Sequence, residues 1–392
     1  MKIVYATEAF PKSYSKSIFL AGPTPRSPEV KSWRPEALRV LEASGYDGVV
    51  FVPETLEGGN SPNYPEQITW ESEGLNRADC ILFWVPRDLE TLPGFTTNVE
   101  YGEWFASGKI VLGIPPKAEK KRYLQLKGAW NLVPQVSTLE NTIKAALEMI
   151  GEGALRSGGE CQIPLYIWRT LSFQAWYDAQ KKAGNRLDGA KVVWTFRVGP
   201  RKEVVFFWAL HVDVFITSES RHKTNEVVLS RPDISTVVMC RRGKTLEDST
   251  VVLIREFRSP ASNSDCFVWE VAGGSSFKET GDHLALAAKE VSEETGLVID
   301  PSRIKVHSTR QMVSTLSAHK AHVFCVEITE DELELLRKQV GIAHGVVADT
   351  ERTYVEIRTV KEILEGDLVD WSMIGMILSV LVSEFNKMKE AL

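Results

Sequence analysis

Short apolar runs recur along the first third of the chain. IFLAG at 18–22, VVFV at 49–52, CILFWV at 80–85 and IVLGI at 110–114 are of strand length and carry almost no polar side chain, the pattern of strands buried on both faces. Amphipathic, helix-like stretches lie between them, near 30–44, 65–78, 98–107 and 137–150. Alternation of this kind predicts an α/β domain with a mostly parallel sheet, with ligands bound beyond the carboxyl ends of its strands. GEGALRSGGE at 151–160 interrupts the pattern with glycine and polar residues and reads as a linker. Further on, VVWTFRV (192–198) and EVVFFWALHVDVFI (203–216) read as strands, and NEVVLSRPDISTVVMC (225–240) as a further pair. MIGMILSVLV at 373–382 is too short to span a bilayer and reads as a buried terminal helix. The expected organisation is a first domain over 1–150, a linker over 151–162 and a second domain over 163–392. Its first part, 163–230, would be an extension that forms a dimer sheet or a substrate lid. The fold class is α/β plus α+β.

Length and composition refine this picture only a little. At 392 residues the chain suits two domains. Its net charge of −6 argues against a general nucleic-acid binder, so anionic small substrates would rely on local arginines and metal. Cys80, Cys161, Cys240, Cys266 and Cys325 are isolated, with no CxxC pair, so neither a zinc site nor a disulfide framework is indicated. Scattered cysteines, and an N-terminus without a signal-peptide apolar run, lead us to expect a cytoplasmic protein with no membrane partner.

The densest chemistry lies in KEVSEETGL at 289–297, which puts Glu290, Glu293 and Glu294 at i, i+3 and i+4. On a helix these carboxylates share a face. Their mutual repulsion is relieved by a hard divalent cation, Mg²⁺ or Mn²⁺; the alternative is a solvated acidic face. Gly296 stands where a helix-ending glycine belongs, and Gly273-Gly274 follows a strand-like VWEVA. The segment 273–297 resembles the Nudix box of metal-dependent diphosphate hydrolases, G-x5-E-x7-R-E-U-x-E-E-x-G-U. Gly273 and Glu279 keep the first spacing; Lys289, Glu290, Val291, Glu293, Glu294, Gly296 and Leu297 fill the second half. Nine residues instead of seven precede Lys289, which replaces the usual arginine. The resemblance implies a Nudix α/β/α sandwich with metal on Glu290, Glu293, Glu294 and the Ala272 carbonyl. VVLIREFRSP (251–260) before WEVAGG is similar to ADP-ribose pyrophosphatases, in which an acid on a late loop serves as base. GVVADTERTYVEI (345–357) matches that loop, so Glu351 is the first candidate, Asp349 the second, and a triad member such as Glu293 another. In QMVSTLSAHKAHVF (311–324), Leu316 and His319 replace the glycine and glutamate of a related segment. Arg255 and Arg258 are either phosphate ligands or structural strand arginines.

The first half resembles the nucleoside 2-deoxyribosyltransferase-like family. The matching residues are IFLAGP (18–23), Trp33-Arg34, ITWESEGLNRADCILFWVP (68–86) and NVEYGEWFASGKIVLGIP (98–115). The resemblance implies a Rossmann-like parallel sheet, with Glu100 (followed by Gly102 and Ala106) as nucleophile on the anomeric carbon of a nucleoside. Glu71, eight residues before Asp79, takes the place of an acid near the sugar hydroxyls and base. Gly22, Asp79, Thr97 and Asn98 would contact substrate. GFTTNVE (94–100) replaces the small-residue loop common before the glutamate. Trp70, Trp84 and Trp104 are candidates to stack a base or to fill the core. Both resemblances favour a homodimer. Together they imply a bifunctional enzyme for small-molecule nucleotides, one half cutting an N-glycosidic bond and the other a diphosphate. The alternative is a Nudix hydrolase regulated by a silent nucleotide-binding first half.

Overall fold

The structure, a computed structural model, describes residues 1–27, 29–275, 282–346, 351–366 and 369–391. They fall into two compact units, Met1–Leu229 and Ser230–Leu392.

The first unit begins with β1 (Lys2–Tyr5), β2 (Ser13–Tyr14), β3 (Ser17–Ala21), α1 (Arg34–Ala43), β4 (Val49–Val52) and α2 (Tyr64–Arg77). It continues through β5 (Cys80–Trp84), α3 (Phe95–Trp104), β6 (Ile110–Gly113), α4 (Arg122–Trp130), β7 (Gln135–Val136) and α5 (Leu139–Ile150). Six strands form a parallel sheet in the order β1-β4-β3-β5-β6-β7. Apolar cores lie on both sides of it. Phe19, Phe51 and Phe83 pack with Trp70 and Tyr101, while Leu20, Val50 and Leu82 pack with Leu41 and Ile143. Double coverage is why these strands are unbroken apolar runs rather than alternating ones. From β3 the chain moves to β4 on one side and then to β5 on the other. The crevice left between the carboxyl ends of β3 and β5 is where such sheets bind ligands.

The same unit goes on through β8 (Arg156–Ser157), α6 (Leu165–Trp168), α7 (Leu171–Lys182), β9 (Arg186–Val198), β10 (Val204–Ile216) and β11 (Arg221–Ser230). β11, β10 and β9 form a sheet in that order, over a core of Ile163, Ile167, Phe173, Trp208 and Leu210. Two expectations are corrected here. Residues 151–162 are not a free linker: β8 pairs with β2, and Arg156 is fully buried against Asp79. Residues 163–229 cluster with the first unit, not the second. Gln162 donates to Glu73 and accepts from the Ala190 amide, while Asn76 donates to the Ala190 carbonyl. Gly159 lies where a Cβ would come within 2.4 Å of the Asp188 carbonyl carbon. The glycine and polar residues that read as flexible serve close backbone approach and buried hydrogen bonds.

The second unit contains β12 (Ile234–Arg241), β13 (Thr250–Phe257), β14 (Phe267–Glu270), β15 (Ala272–Gly274), α8 (His283–Thr295) and β16 (Lys305–Gln311). Then come β17 (Lys320–Glu327), α9 (Glu330–Gln339), β18 (Ala343–His344), β19 (Thr353–Thr359), α10 (Val360–Glu365) and α11 (Trp371–Ala391). Its sheet runs β16-β17-β12-β13-β19-β18, with β14 on β13 and β15 on β12. The β12–β17 pair is parallel and the others antiparallel. Ala287 and Val291 of α8 pack on one face of this mixed sheet. On the other face lie Met373, Met376, Ile377 and Val380 of α11, the buried terminal helix expected from 373–382. Among the described residues no helix is long and apolar enough to cross a membrane.

Candidate active sites

Gly22 follows β3 directly, with φ +149°. A Cβ there would lie 2.2 Å from the Trp84 carbonyl oxygen at the end of β5, so the turn over the sheet's switch point requires glycine. The loop it starts forms one wall of a cleft of about 1130 Å³, and Glu71, Thr97 and Glu100 line other parts of it. Arg34, 1% exposed, underpins this loop. Its Nε donates to the Leu20 carbonyl (3.1 Å) and its Nη2 to that of Gly22 (2.8 Å). Nη1 reaches Thr24 Oγ1 (3.1 Å) and Glu54 Oε1 (2.6 Å). Glu71 accepts from Gln67 Nε2 at 2.8 Å, whereas no hydrogen bond from a described residue reaches the Glu100 carboxylate. Burial, and then repulsion from Glu71, push Glu100 up to about 8, with Arg34 pulling the other way. Burial also raises Glu71, against Gln67 and Arg34. Two interacting carboxyls titrate as a unit. Both shifts favour retention of a proton by the pair near neutral pH.

In the second unit, Asp282 caps α8 by accepting from the Ala285 amide at 2.9 Å, and Gly296 ends it at φ +71°. Glu290 and Glu294 therefore face the β15 backbone. Glu294 Oε2 accepts from the Gly273 amide at 2.9 Å, while its buried Oε1 has no partner. Glu290 lies where a Cβ on Gly274 would come within 2.7 Å of its Oε1. Burial raises Glu290 and Glu256 to about 7 each, with Glu351 adding to both. Glu294 is raised well above its ordinary value, by burial first and Glu290 next, with Glu351 and Glu256 adding. Four carboxylates thus share one field. Glu293 is engaged by Lys289 at 2.6 Å. The Ala272 carbonyl accepts from Thr236 Oγ1 at 3.0 Å. Among the described residues no group of three or more His, Cys, Asp or Glu side chains is placed to hold a metal ion. The orphaned Glu294 oxygen and the mutual repulsion of the carboxylates fit a hard cation in donor chemistry. Glu279 and Asp349 lie outside the described residues. Arg258 pairs with Glu256 (2.8 Å) and Glu270 (2.7 Å). Arg255 pairs with Asp265 and lies over Phe267. Both are held by neighbours on or beside β13 and β14.

Residues 15–118 match the family described as nucleoside 2-deoxyribosyltransferase like. No curated protein matches the chain. Among solved structures, one titled "Crystal structure of ADP compounds hydrolase" aligns with a TM-score of 0.36 at 13% identity, covering 53% of this chain and 97% of that one. That likeness is too distant to carry an argument.

The deoxyribosyltransferase-like segment contains Gly22, Glu71, Thr97 and Glu100 and brings all four to one cleft. Two of its expected substrate contacts are elsewhere. Asp79 is buried, bound by Arg156 (2.6 Å), the Ser17 amide (2.9 Å) and the Leu165 amide (3.1 Å). No oxygen of Asp79 is left for a ligand, and its role is structural. Asn98 is exposed and pairs with Arg87, off the cleft wall. Trp70 and Trp84 are buried in the core, and Trp104 carries Lys109 over its ring. Arg34 and Gln67 were not singled out as site residues in the sequence. The signal for Arg34 was available: an arginine opens α1, where the helix dipole disfavours a cation, so a carboxylate partner was to be expected. Glu256, the fourth acid of the second site, sits in an otherwise buried strand run, a placement that itself asks for a reason.

Proposed function

We propose that the chain is a bifunctional nucleotide-processing enzyme, cleaving an N-glycosidic bond in the first unit and a diphosphate bond in the second. The observation that carries the first half is the meeting of Glu71 and Glu100, both pushed toward their protonated forms by burial, in a cleft at the sheet's switch point. In the arrangement that has the proton on Glu71, the Glu100 oxygen bonds to the anomeric carbon as the C1′–N bond breaks. The departing base takes the electron pair of that bond and the proton of Glu71. Water, or a second base, then attacks the same carbon, Glu71 accepts the proton, and the Glu100–sugar bond breaks. Arg34 holds the loop and favours the ionised form of both carboxyls.

In the second unit, Glu290, Glu294 and the Ala272 carbonyl are the groups that would hold Mg²⁺ or Mn²⁺. Bound there, the ion would neutralise phosphate oxygens and acidify water. Glu351, whose charge adds to the field at Glu290 and Glu294, would be the residue to accept a proton from water there. The Nudix resemblance of 273–297 supports this half, for which we propose an ADP-ribose-like substrate and a cytoplasmic homodimer as the setting.

The test is to incubate the purified chain with NAD⁺, ADP-ribose, nucleoside diphosphate sugars and nucleoside mono-, di- and triphosphates, with Mg²⁺ or with EDTA, and to identify products by mass. Free base that persists in EDTA, beside monophosphates formed only with Mg²⁺, is the expected result. Monophosphates without free base would sink the glycosidic half; base without Mg²⁺-dependent monophosphates would sink the other.

A further inference from the structure

The cleft of the first unit is electrically divided. Glu71 and Glu100 stand on the sides built by α2 and α3. The wall built by residues 22–27 and 30–35 carries Arg26 and Lys31, flanked by the hydroxyls of Ser27 and Ser32. Arg26 and Lys31 are exposed, and neither forms an ion pair with a described residue. Arg26 instead lies over the Phe95 ring, 5.4 Å from its centroid, on the cleft lining. The nearby acids do not neutralise this wall. Glu29 is fully exposed and bonded to Ser27, and Glu54 is taken by Arg34 and Ser32. Glu57 also lines the cleft, without an ion pair to either cation.

A neutral nucleoside has hydroxyls and a base to offer this cleft, and nothing that calls for two unpaired cations. The sugar hydroxyls are donors and suit the carboxylates. The C5′ group on C4′ stands on the face of the ring opposite the 2′- and 3′-hydroxyls, so it points away from the attacking Glu100. We propose that the Arg26–Lys31 wall receives a phosphate on C5′, so that the first unit takes nucleoside 5′-monophosphates in preference to nucleosides. This rests on the glycosidic reading of Glu71 and Glu100 for the orientation of the sugar. Guanidinium and ammonium groups are the side chains suited to a phosphomonoester dianion, and an exposed wall lets the charged group enter last. A 5′-monophosphate has no diphosphate bond, so the chemistry proposed for the second unit cannot consume it.

The experiment uses the full chain carrying Glu100→Gln, in EDTA, so that ligand binds without turnover. The common nucleosides and deoxynucleosides, their 5′-monophosphates and their 3′-monophosphates are titrated by calorimetry. The 5′-monophosphate is expected to bind about 10- to 100-fold more tightly than its nucleoside, the range for charge-assisted contacts. Arg26→Ala with Lys31→Ala should collapse that ratio to within a few-fold. Equal affinity for nucleoside and 5′-monophosphate, preference for the 3′-phosphate, no binding of the 5′-monophosphate, or a ratio untouched by the double substitution would each overturn the proposal. Wild-type turnover is scored separately. Phosphate-dependent binding without base release overturns only the glycosidic reading, while base release at equal kcat/KM on nucleoside and nucleotide overturns only the phosphate site. Should Glu100→Gln fail to fold, the wild-type KM ratio replaces the binding ratio.

Discussion

At the scale of single residues, carboxyls held above their ordinary range dominate both sites, and their protonation is open to measurement. The Glu71–Glu100 pair needs one proton for the proposed chemistry, and Glu100 is raised to about 8. Base release should therefore fall as pH rises past about 8, and Glu71→Gln should remove that alkaline limb while lowering the rate by about 10²- to 10⁴-fold. A wild-type rate still climbing at pH 9 would contradict the pairing. Stability gives an independent readout. The folded state binds an extra proton at Glu100 between its ordinary value of 4.5 and about 8, so its stability is full below 4.5 and declines as pH rises to about 8. Glu100→Gln removes that decline. The variant should melt higher than wild type at pH 9 and close to it at pH 4, as read by calorimetry. Asp79 behaves oppositely, being paired rather than stranded. Asp79→Ala leaves Arg156 buried and uncompensated, and should cost about 3–5 kcal/mol in denaturant unfolding.

At the scale of elements, most of the site geometry comes from where helices begin and end and how closely their neighbours approach. The runs at 18–22, 49–52, 80–85 and 110–114 became β3 to β6 within a residue or two, because a strand buried on both faces has no choice but to be apolar. β1, β7 and α4 went unread. Two of these are edge strands of four and two residues, too short to show a period. α4 exposes Tyr123, Leu126 and Trp130, which blurs its polar face. α8 was legible from its acidic spacing and Gly296, but its orientation was not. Glu290 and Glu294 turn to β15, whereas Glu293 is held by Lys289. The approach of Glu290 to Gly274 leaves no room for a methyl group. Gly274→Ala should push the carboxylate aside and reduce Mg²⁺-dependent diphosphate cleavage by about 10- to 100-fold, with the circular-dichroism spectrum unchanged. Full activity in that variant would remove Glu290 from the site.

At the scale of the whole molecule, the boundary falls at Leu229–Ser230, not in the glycine-rich stretch that reads as a linker. A fragment ending at 162 would lack the core built on Ile163, Phe173 and Trp208, and would lose the Leu165 amide that Asp79 accepts from. The fragment 1–229 should unfold cooperatively in urea, and the fragment 1–162 should unfold at a much lower midpoint or not fold. Equal midpoints would place residues 163–229 outside the first unit's cooperative core. The sequence by itself determined the parallel strand–helix alternation and the acidic helix face, because periodicity and local spacing are properties of neighbours along the chain; Glu71 and Glu100 were named through the resemblance of the first half to a known family. Tertiary structure alone decided that Asp79 belongs to Arg156 and not to a ligand, that Arg34 underpins the cleft, and that 151–229 belongs to the first unit. Each of those outcomes depends on contacts between residues distant along the chain, such as the 77 residues from Asp79 to Arg156, and spacing carries no record of which partner a buried charge finds.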